Sequence, residues 1–290
     1  MSKPVILVTG KQGQLGWELT QLAGAYPQYD FVFADRTTMD LSDDDSLRKC
    51  FEQYKPDYCI NCAAYTAVDK AETEQAMAYQ VNAAATGLLA TLCNQYNTVL
   101  MTISTDYVFN GNGTSPYTTE QATDPVNYYG YTKAIGEQLA LANHPATIII
   151  RTSWVYSSHG NNFVKTMLRL MKERDALNVV ADQVGSPTYA HDLAKAILLI
   201  IEEQEKGNKQ YGIFHYSNSG VTNWCDFARE IGQQASLSCV VNGITTAEYP
   251  TAAKRPAYSV MDINKITAAY GIVMRHWKEA LHECILKLQL

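Results

Sequence analysis

The stretch that decides the fold is VILVT at residues 5–9, followed directly by GKQGQLG at residues 10–16. The apolar run predicts a short buried strand, and the segment after it predicts a helix. Glycines at such a junction permit a tight turn and let the backbone approach a pyrophosphate at the positive end of the helix. The spacing G-x-x-G-x-x-G differs by one residue from the usual dinucleotide motif. We expect a dinucleotide-binding loop, and a glycine-rich turn without a ligand is the alternative.

Strand-like and helix-like segments alternate through the first half of the chain. Apolar or β-branched runs predict strands at Val5–Thr9, Phe31–Ala34, Tyr58–Asn61, Val99–Ile103 and Thr147–Arg151. Helices are predicted at Leu15–Tyr26, Ser46–Tyr54, Glu74–Tyr96 and Tyr128–Asn143. Nearly continuous apolar strands joined by helices favour a parallel sheet covered on both faces. The expected fold class is α/β, a Rossmann-type doubly wound parallel sheet with a smaller mixed α/β domain that binds the substrate.

After Trp154 the alternation of predicted strands and helices becomes less regular. Helices are predicted at Asn162–Glu173, Asp192–Glu205 and Trp224–Ala235, and strands at Asn178–Val180 and Gly212–Tyr216. We expect residues 1–153 to form the nucleotide-binding domain, together with return segments from about 190–217. Most of residues 154–290 would form the substrate-binding domain. Because no low-complexity linker separates the two, a cleft between them is the expected substrate site.

Composition excludes several classes of protein. The chain has 290 residues, of which 47% are hydrophobic and 18% charged, so it can bury a core. A net charge of -6 argues against nucleic-acid binding. We see no signal peptide, and the apolar stretch Ala196–Ile201 is too short to span a membrane. We expect a cytoplasmic protein that binds neither nucleic acid nor membrane.

Two of the seven cysteines, Cys59 and Cys62, form a C-x-x-C pair, a spacing that often marks zinc or redox chemistry. They lie in a predicted strand, where residues three apart point to opposite faces. We therefore expect buried thiols and no metal site.

Two segments after the second strand bear on the cofactor. Asp35 would bind a ribose hydroxyl, whereas Arg36 would favour a 2′-phosphate, which inclines the prediction to NADPH with NADH possible. Asp40 and Leu41 resemble the turn that holds an adenine edge in related reductases. All four residues are equally compatible with a solvated turn.

A candidate proton donor lies in YGYTK at residues 129–133. Spacing of four on a helix places the Tyr129 phenol and the Lys133 ammonium on one face. Reduction of a carbonyl by hydride leaves an alkoxide that must be protonated, and a nearby ammonium would lower the tyrosine pKa toward the useful range. Thr105 and Asp106 follow the fourth strand, at the sheet edge where ligands bind.

Further motifs carry a resemblance to a known family. They are NCAAYTAVDKAE at 61–72, VN at 81–82, STDYVF at 104–109, YGYTK at 129–133 with GE at 136–137, RTSWVY at 151–156, NNF at 161–163, DQ at 182–183 with GSPT at 185–188, and RP at 255–256. On these residues the chain resembles the extended short-chain dehydrogenases and, within them, the dTDP-4-dehydrorhamnose reductases. The resemblance covers nearly the whole length.

The resemblance implies reduction of the 4-keto group of dTDP-4-dehydro-L-rhamnose by hydride from NADPH or NADH. Implied roles are general acid for Tyr129, tuning of that acid and ribose binding for Lys133, and a hydrogen bond to the carbonyl oxygen for Thr105. Substrate contacts are implied for Asp106, Tyr107, Trp154, Asn162 and Arg255, the last at the nucleotide diphosphate. Cofactor contacts are expected at Gly10, Gln12, Gly13, Gln14, Leu15, Gly16, Asp35, Arg36, Asp40, Leu41, Ala63, Ala64, Tyr65 and Asn82. Core packing is the alternative for Trp154.

One departure concerns metal. Some family members are described as dimers bridged by magnesium through acidic side chains. Glu18 matches one such position, but His191 stands where a glutamate is expected, with Asp192 beside it. Imidazole is a poor ligand for a hard cation, so we predict no magnesium requirement. A homodimer is possible and is left open.

Two other functions stay open on the sequence. One is a non-catalytic binding subunit like the regulatory subunit of methionine adenosyltransferase, which would not need Tyr129, Lys133 and Thr105. The other is a sugar-nucleotide epimerase or dehydratase with tightly held NAD, for which Asp106 beside Thr105 could serve as an additional acid–base group.

Overall fold

The secondary structure alternates strands and helices along residues 2–289, the range that the computed structural model describes. The strands are β1 (Val5–Thr9), β2 (Asp30–Ala34), β3 (Tyr58–Asn61), β4 (Val99–Thr105), β5 (Thr147–Thr152), β6 (Val155–Tyr156), β7 (Ala176–Val180), β8 (Val184–Gly185), β9 (Thr188–Tyr189), β10 (Gly212–His215), β11 (Thr222–Asn223) and β12 (Val240–Ile244). The helices are α1 (Gln14–Leu22), α2 (Asp44–Tyr54), α3 (Val68–Ala71), α4 (Gln75–Tyr79), α5 (Ala85–Tyr96), α6 (Tyr128–Asn143), α7 (Phe163–Glu173), α8 (Ala190–Glu205), α9 (Trp224–Gln234), α10 (Asn264–Tyr270) and α11 (Trp277–Gln289).

The central sheet has six parallel strands in the order β10-β5-β4-β3-β1-β2. The chain moves from β1 outward to β2 and then crosses back to form β3 on the other side of β1. This reversal makes β1 and β3 the switch point, and ligands of open α/β sheets bind in the crevice at the carboxyl ends of such strands. The predicted doubly wound parallel sheet is confirmed.

Apolar clusters cover both faces of the sheet. Along β1, Ile6 and Val8 belong to a cluster with the apolar side of α8, whereas Leu7 belongs to a cluster with Leu47 and Leu89 on the opposite face. This alternation explains why the strands are apolar at nearly every position.

The two cysteines of the C-x-x-C pair follow the same alternation. Cys59 lies in the cluster beneath α2 and α5, and Cys62 packs against the cluster on the α1 and α8 side. The predicted opposite orientation is confirmed, and all seven cysteines are free thiols.

The second half of the chain builds its own apolar cluster from α7, β7, α9 and α11. Trp277, Leu281 and Ile285 recur every four residues along α11 and face this cluster. Helices α10 and α11 lie where the sequence analysis predicts no element. Residues 190–217 return to the sheet, because α8 packs on one face and β10 pairs with β5. No helix within residues 2–289 is long and apolar enough to cross a membrane.

Two predicted helices differ from the observed ones. The first ends at Leu22 and continues as a 3-10 turn over Ala23–Ala25, where Gly24 and then Pro27 disfavour further helix. The segment predicted as one helix from Glu74 to Tyr96 is interrupted by a π-helical stretch at Gln80–Ala84. Such insertions are common at functional sites.

A buried ion pair fastens α6 to the sheet. Arg151 of β5 donates from Nε to Glu137 Oε1 at 2.9 Å and from Nη2 to Oε2 at 2.6 Å. The two side chains are 2% and 4% exposed, and the Arg151 guanidinium also lies 5.0 Å from the Phe109 ring centroid. Neither charge can reach water if the other is removed.

We therefore expect Arg151→Met to lower the free energy of unfolding by about 3–5 kcal/mol, because it leaves the Glu137 carboxylate buried without a partner. Chemical denaturation would measure the change. The double variant Glu137→Gln/Arg151→Met should recover at least half of the loss. A loss below about 1 kcal/mol for the single variant would contradict the expectation.

Candidate active site

A cleft of about 830 Å³ runs along the carboxyl edge of the sheet. Most of the residues predicted to contact a cofactor line it: Gly10, Gln12, Gly13, Gln14, Leu15, Asp35, Arg36, Asp40, Leu41, Ala63, Ala64, Tyr129 and Lys133. So do Thr105, Asp106, Tyr107 and Trp154, which are predicted to contact the substrate. The structure thus brings together, in one cavity, residues that follow β1, β2 and β3, residues at the carboxyl ends of β4 and β5, and residues of α6.

The glycine loop leaves its end of the cleft open to an anion. Gly10 has a φ of +69°, and a Cβ there would lie 2.8 Å from the Ala63 nitrogen. A Cβ on Gly16 would lie 2.3 Å from the Gly10 carbonyl oxygen, so this residue must lack a side chain. No side chain among residues 2–289 caps the start of α1 at Gly13, whereas Asn127 caps α6. The free N–H groups at that helix end fit a diphosphate.

In the part of the cleft after β2, hydrogen bonds and a lysine balance the negative charge of Asp35. Asp35 accepts hydrogen bonds from the backbone and hydroxyl of Thr37 and pairs with Lys11 Nζ at 3.0 Å. These bonds, first those from Thr37 and then Lys11, hold the Asp35 pKa well below its ordinary value. Arg36 lies exposed on the cleft wall. With Asp35 paired to Lys11, the Arg36 guanidinium remains as a cation that suits a 2′-phosphate, although Asp40 lies on the same wall.

These features fit a nicotinamide adenine dinucleotide. The uncapped helix end suits its diphosphate, and Arg36 suits a 2′-phosphate on its ribose. The apolar side chains of Met39 and Leu41 suit its adenine. Ala63 and Ala64 continue the groove from there toward Tyr129.

The half-buried side chain of Tyr129 lines the cleft, edge-on to the Tyr107 ring with 5.7 Å between centroids. Burial raises the Tyr129 pKa to about 12, although the Thr105 hydroxyl beside it lowers the value and the Asp106 charge adds to it. The predicted lowering of this pKa by Lys133 is wrong, because burial is the largest influence on it and raises it. The phenol is therefore fully protonated at neutral pH, as a proton donor must be.

Lys133 is held against the end of β4. Its Nζ donates to the Ile103 carbonyl at 2.7 Å, and the side chain is 5% exposed. Burial lowers the Lys133 pKa to about 8, although the charge of Glu137, one turn further along α6, opposes this. Below that pH the ammonium is charged and can stabilise a phenolate formed one helical turn away.

Asp106 is a second buried acid of the cleft. Its Oδ1 accepts the Thr105 hydroxyl at 2.9 Å, and its Oδ2 is buried without a hydrogen-bond partner in the described residues. Burial raises the Asp106 pKa to about 7, with the Thr105 hydroxyl opposing it.

At the far end of the cleft two indole rings stack. Trp154 lies 3.6 Å from Trp224 between ring centroids, with 11° between planes, and both line the cavity. Trp154 has a φ of +49°, and a Cβ on Gly185 would lie 2.7 Å from its ring. The residue therefore both packs against the second half of the chain and lines the cleft.

Three residues predicted to contact the cofactor lie outside the cleft lining and support it instead. Gly16 packs against Gly10, as described above. Asn82 Oδ1 accepts the Tyr65 backbone N–H at 2.8 Å, and its Nδ2 donates to the Tyr65 carbonyl and to Thr132. The Tyr65 hydroxyl donates to Glu74 at 2.6 Å. Asn82 therefore clamps the loop after β3 onto α6.

Two residues predicted to contact the substrate are also placed elsewhere. Asn162 caps α7 by accepting the Lys165 N–H at 3.1 Å and donates to Gln14 Oε1 at 3.0 Å. Arg255 pairs with Asp69 at 2.8 Å and is absent from the cleft wall. A diphosphate at Arg255 would have to compete with that carboxylate.

Other cleft residues have no predicted role, although most of them lie in the motifs quoted in the sequence analysis. They are Met39, Cys62, Thr66, Val68, Val81, Ile103, Ser104, Thr152, Ser153, Val155, Gly160, Asn161, Leu193 and Trp224. Several adjoin predicted positions, as Ser104 adjoins Thr105 and Asn161 adjoins Asn162, and this adjacency is a usable signal. Trp224 gives no such signal, because it reaches the cleft only through the packing of α9.

The residues at the family's magnesium position do not fit that ion. Glu18 accepts Ser157 Oγ at 2.6 Å on one oxygen and His191 Nδ1 at 3.0 Å on the other. Asp192 accepts two hydrogen bonds from Arg275, each at 2.7 Å. These carboxylates already have protein partners, and residues 2–289 contain no cluster of three His, Cys, Asp or Glu side chains suited to a metal.

A parallel sheet with a glycine-rich loop after β1 and a Tyr-x-x-x-Lys helix at its carboxyl edge defines an extended short-chain dehydrogenase/reductase. Comparison with known proteins narrows this class. Residues 4–290 match the family model described as RmlD substrate binding domain. The dTDP-4-dehydrorhamnose reductase of Aggregatibacter actinomycetemcomitans is 43% identical over 283 residues, covering 95% of this chain and 96% of that protein. The chain belongs to the dTDP-4-dehydrorhamnose reductase family.

Solved structures agree over nearly the full length. A dTDP-4-dehydrorhamnose reductase from Clostridium acetobutylicum has a TM-score of 0.93 and 41% identity, covering 99% of this chain and 100% of that one. The enzyme from Bacillus anthracis, solved in complex with NADP, has a TM-score of 0.92 and 36% identity, covering 98% and 99%.

The close approach of Gly16 to Gly10 generates a test of the loop. Gly16→Ala places a Cβ against a backbone oxygen, so we expect the Kd for NADPH to rise at least about tenfold. Fluorescence titration would measure it. Gly24→Ala is the matched control, since a Cβ there meets nothing within 4 Å and should leave the Kd unchanged. Equal affinity in the two variants would contradict the assignment of the loop.

The position of Lys133 generates a test of pH dependence. The ammonium loses its proton as pH rises through about 8, so kcat/KM for the cofactor, which reports the free enzyme, should fall above that pH. In Lys133→Arg the group stays charged, and the alkaline fall should move to higher pH in whatever activity the variant retains. A wild-type profile that stays level to about pH 10 would count against a charged Lys133 as the active form.

Proposed function

We propose that the protein reduces the 4-keto group of dTDP-4-dehydro-L-rhamnose to give dTDP-L-rhamnose, with NADPH as the preferred cofactor and NADH as a possible one. The proposal rests on a protonated phenol beside a hydroxyl and an ammonium, in a cleft that also contains an uncapped helix N-terminus. The name shared by relatives that cover nearly the whole chain supplies the substrate.

The cofactor would supply the hydride that adds to the carbonyl carbon. The residues of this chain then have to orient the carbonyl and protonate its oxygen. Thr105 lies next to Tyr129, and its hydroxyl, which donates to Asp106 in the structure, would have to turn toward the substrate to donate to the same oxygen and polarise the carbonyl. As the carbon–hydride bond forms and the C=O π pair moves to oxygen, the Tyr129 O–H bond breaks and its proton passes to the nascent alkoxide.

Lys133 makes that transfer easier without touching the sugar. The phenolate left on Tyr129 would be poorly solvated in a buried site, and a charged ammonium one helical turn away offsets this cost. At neutral pH the Lys133 pKa of about 8 leaves it mostly charged. Asp106 and Trp154 both line the cleft, where they are suited to contact the sugar's hydroxyls and its ring, respectively.

A sugar-nucleotide epimerase or dehydratase is the second candidate. Buried Asp106 favours it, because a pKa of about 7 would let the carboxyl act as an additional acid or base. Such enzymes restore their cofactor within each turnover. The two functions therefore differ in stoichiometry: a reductase consumes one NADPH per sugar, whereas an epimerase purifies with bound NAD and consumes none.

The assay that decides is loss of NADPH absorbance on addition of dTDP-4-dehydro-L-rhamnose, with NADH compared in parallel. Tyr129→Phe should lower kcat by about two to four orders of magnitude while NADPH still binds. Tyr131→Phe, on the exposed side of the same helix, is the control and should retain normal turnover. Absence of NADPH oxidation by the wild-type protein would refute the reductase and favour a binding subunit or the epimerase.

A further inference from the structure

One short segment of the second half reaches across to the glycine loop. It comprises residues 157–162, between β6 and α7, and we call it the clasp. Its glycine, Gly160, has a φ of +73° and lines the cleft together with Asn161. Gln12, Gly13 and Gln14 line the same cavity. The clasp therefore forms part of the wall around the place where the loop would receive a diphosphate.

Polar contacts join the clasp to the loop and to the first turns of α1. His159 Nε2 lies 3.0 Å from the Gln12 carbonyl oxygen, and because that oxygen only accepts, the ring nitrogen must donate. Asn162 donates to Gln14 at 3.0 Å. Ser157 donates to the buried Glu18 carboxylate at 2.6 Å and accepts the His159 backbone N–H at 3.0 Å.

An aromatic contact orients the histidine. Its ring stacks on Trp17 of α1 with 4.9 Å between centroids and 6° between planes. The stack fixes the plane of the imidazole, so that Nε2 points at the loop. A residue that keeps the flat ring but lacks the N–H donor would preserve this contact and lose the hydrogen bond.

The hydrogen bond from His159 acts on a single peptide group. The carbonyl of that peptide belongs to Gln12 and accepts from His159, while its N–H belongs to Gly13 and donates to the Gly10 carbonyl at 2.9 Å. Both ends of the peptide are thus fixed at the point where the loop turns into α1. The direction of the following helix N–H groups depends on the orientation of this peptide.

We propose that His159 is a positioning residue for the cofactor. From its place in the substrate-binding half, His159 holds the glycine loop in the conformation that receives the diphosphate. The inference rests on the proposed function, because it assumes a dinucleotide as ligand. It assigns to His159 an effect shared by NADPH and NADH, since both carry the same diphosphate. Release of the cofactor is then slowed by the clasp.

The test measures cofactor binding directly. His159→Phe keeps a ring for Trp17 but has no donor, and we expect it to raise the Kd and the dissociation rate about fivefold to tenfold, the effect of one hydrogen bond. The factor should be the same for NADPH and NADH. His159→Gln, whose amide N–H can reach the Gln12 carbonyl, should restore most of the affinity. Single-turnover hydride transfer at saturating NADPH should be unchanged in both variants.

Two controls separate positioning from general damage. His282→Ala, at an exposed position of α11, should bind NADPH as the wild type does. Adenosine 2′-monophosphate, which has no diphosphate, should bind equally to wild type and His159→Phe. If His159→Phe has the NADPH affinity and dissociation rate of the wild type, the role of His159 is overturned and the proposed function is unaffected. A wild-type protein that binds neither cofactor would overturn this role and the proposed function together.

Discussion

Helix α6 approaches its neighbours more closely than side chains at every position would permit. A Cβ on Gly130 would lie 2.1 Å from the Tyr107 carbonyl oxygen, and one on Gly136 would lie 2.2 Å from the Asn82 carbonyl oxygen. Both obstacles are backbone atoms, which cannot move aside. Tyr129 and Lys133 lie along the helix between or beside these contacts, so the depth of the phenol and the ammonium over β4 is set by the missing side chains. The buried Glu137–Arg151 pair fixes the same helix to β5 one turn beyond Lys133.

This depth explains the electrostatics of the site. Because α6 packs so closely, Tyr129, Lys133 and Asp106 are all withdrawn from water, and burial favours the neutral form of each. The pKa values of the two acids rise, to about 12 and about 7, and that of the lysine falls to about 8. The phenol thus keeps its proton until an alkoxide forms beside it, and the lysine stays close enough to neutrality to be sensitive to its surroundings. The packing that positions the groups also sets their protonation.

The elements of the sheet could be predicted because their signal is local. The strands are apolar runs of four to seven residues, separated by helical segments with caps such as Asp43. Such patterns can be recognised without knowledge of the rest of the chain. The glycine loop could be predicted for the same reason. What escaped prediction depends on tertiary packing: the π-helical stretch that turns Asn82 toward Tyr65, the arrival of Trp224 from α9, and the burial that reverses the expected shift of the Tyr129 pKa. Spacing in sequence places Lys133 near the phenol but carries no information about the loss of water around it.

The two halves of the chain also meet outside the cleft, and this has a consequence for the substrate. Asn127, which caps α6, donates to the Lys254 carbonyl at 2.8 Å, and Asp69 accepts from the Ala253 N–H and from Arg255. The guanidinium of Arg255 therefore already has an anionic partner, and a nucleotide diphosphate would be an alternative partner for the same group. Since Asp69 belongs to α3, which directly follows the loop that lines the cofactor groove, exchange of one anion for the other would connect the substrate's charge to the wall of the cofactor site.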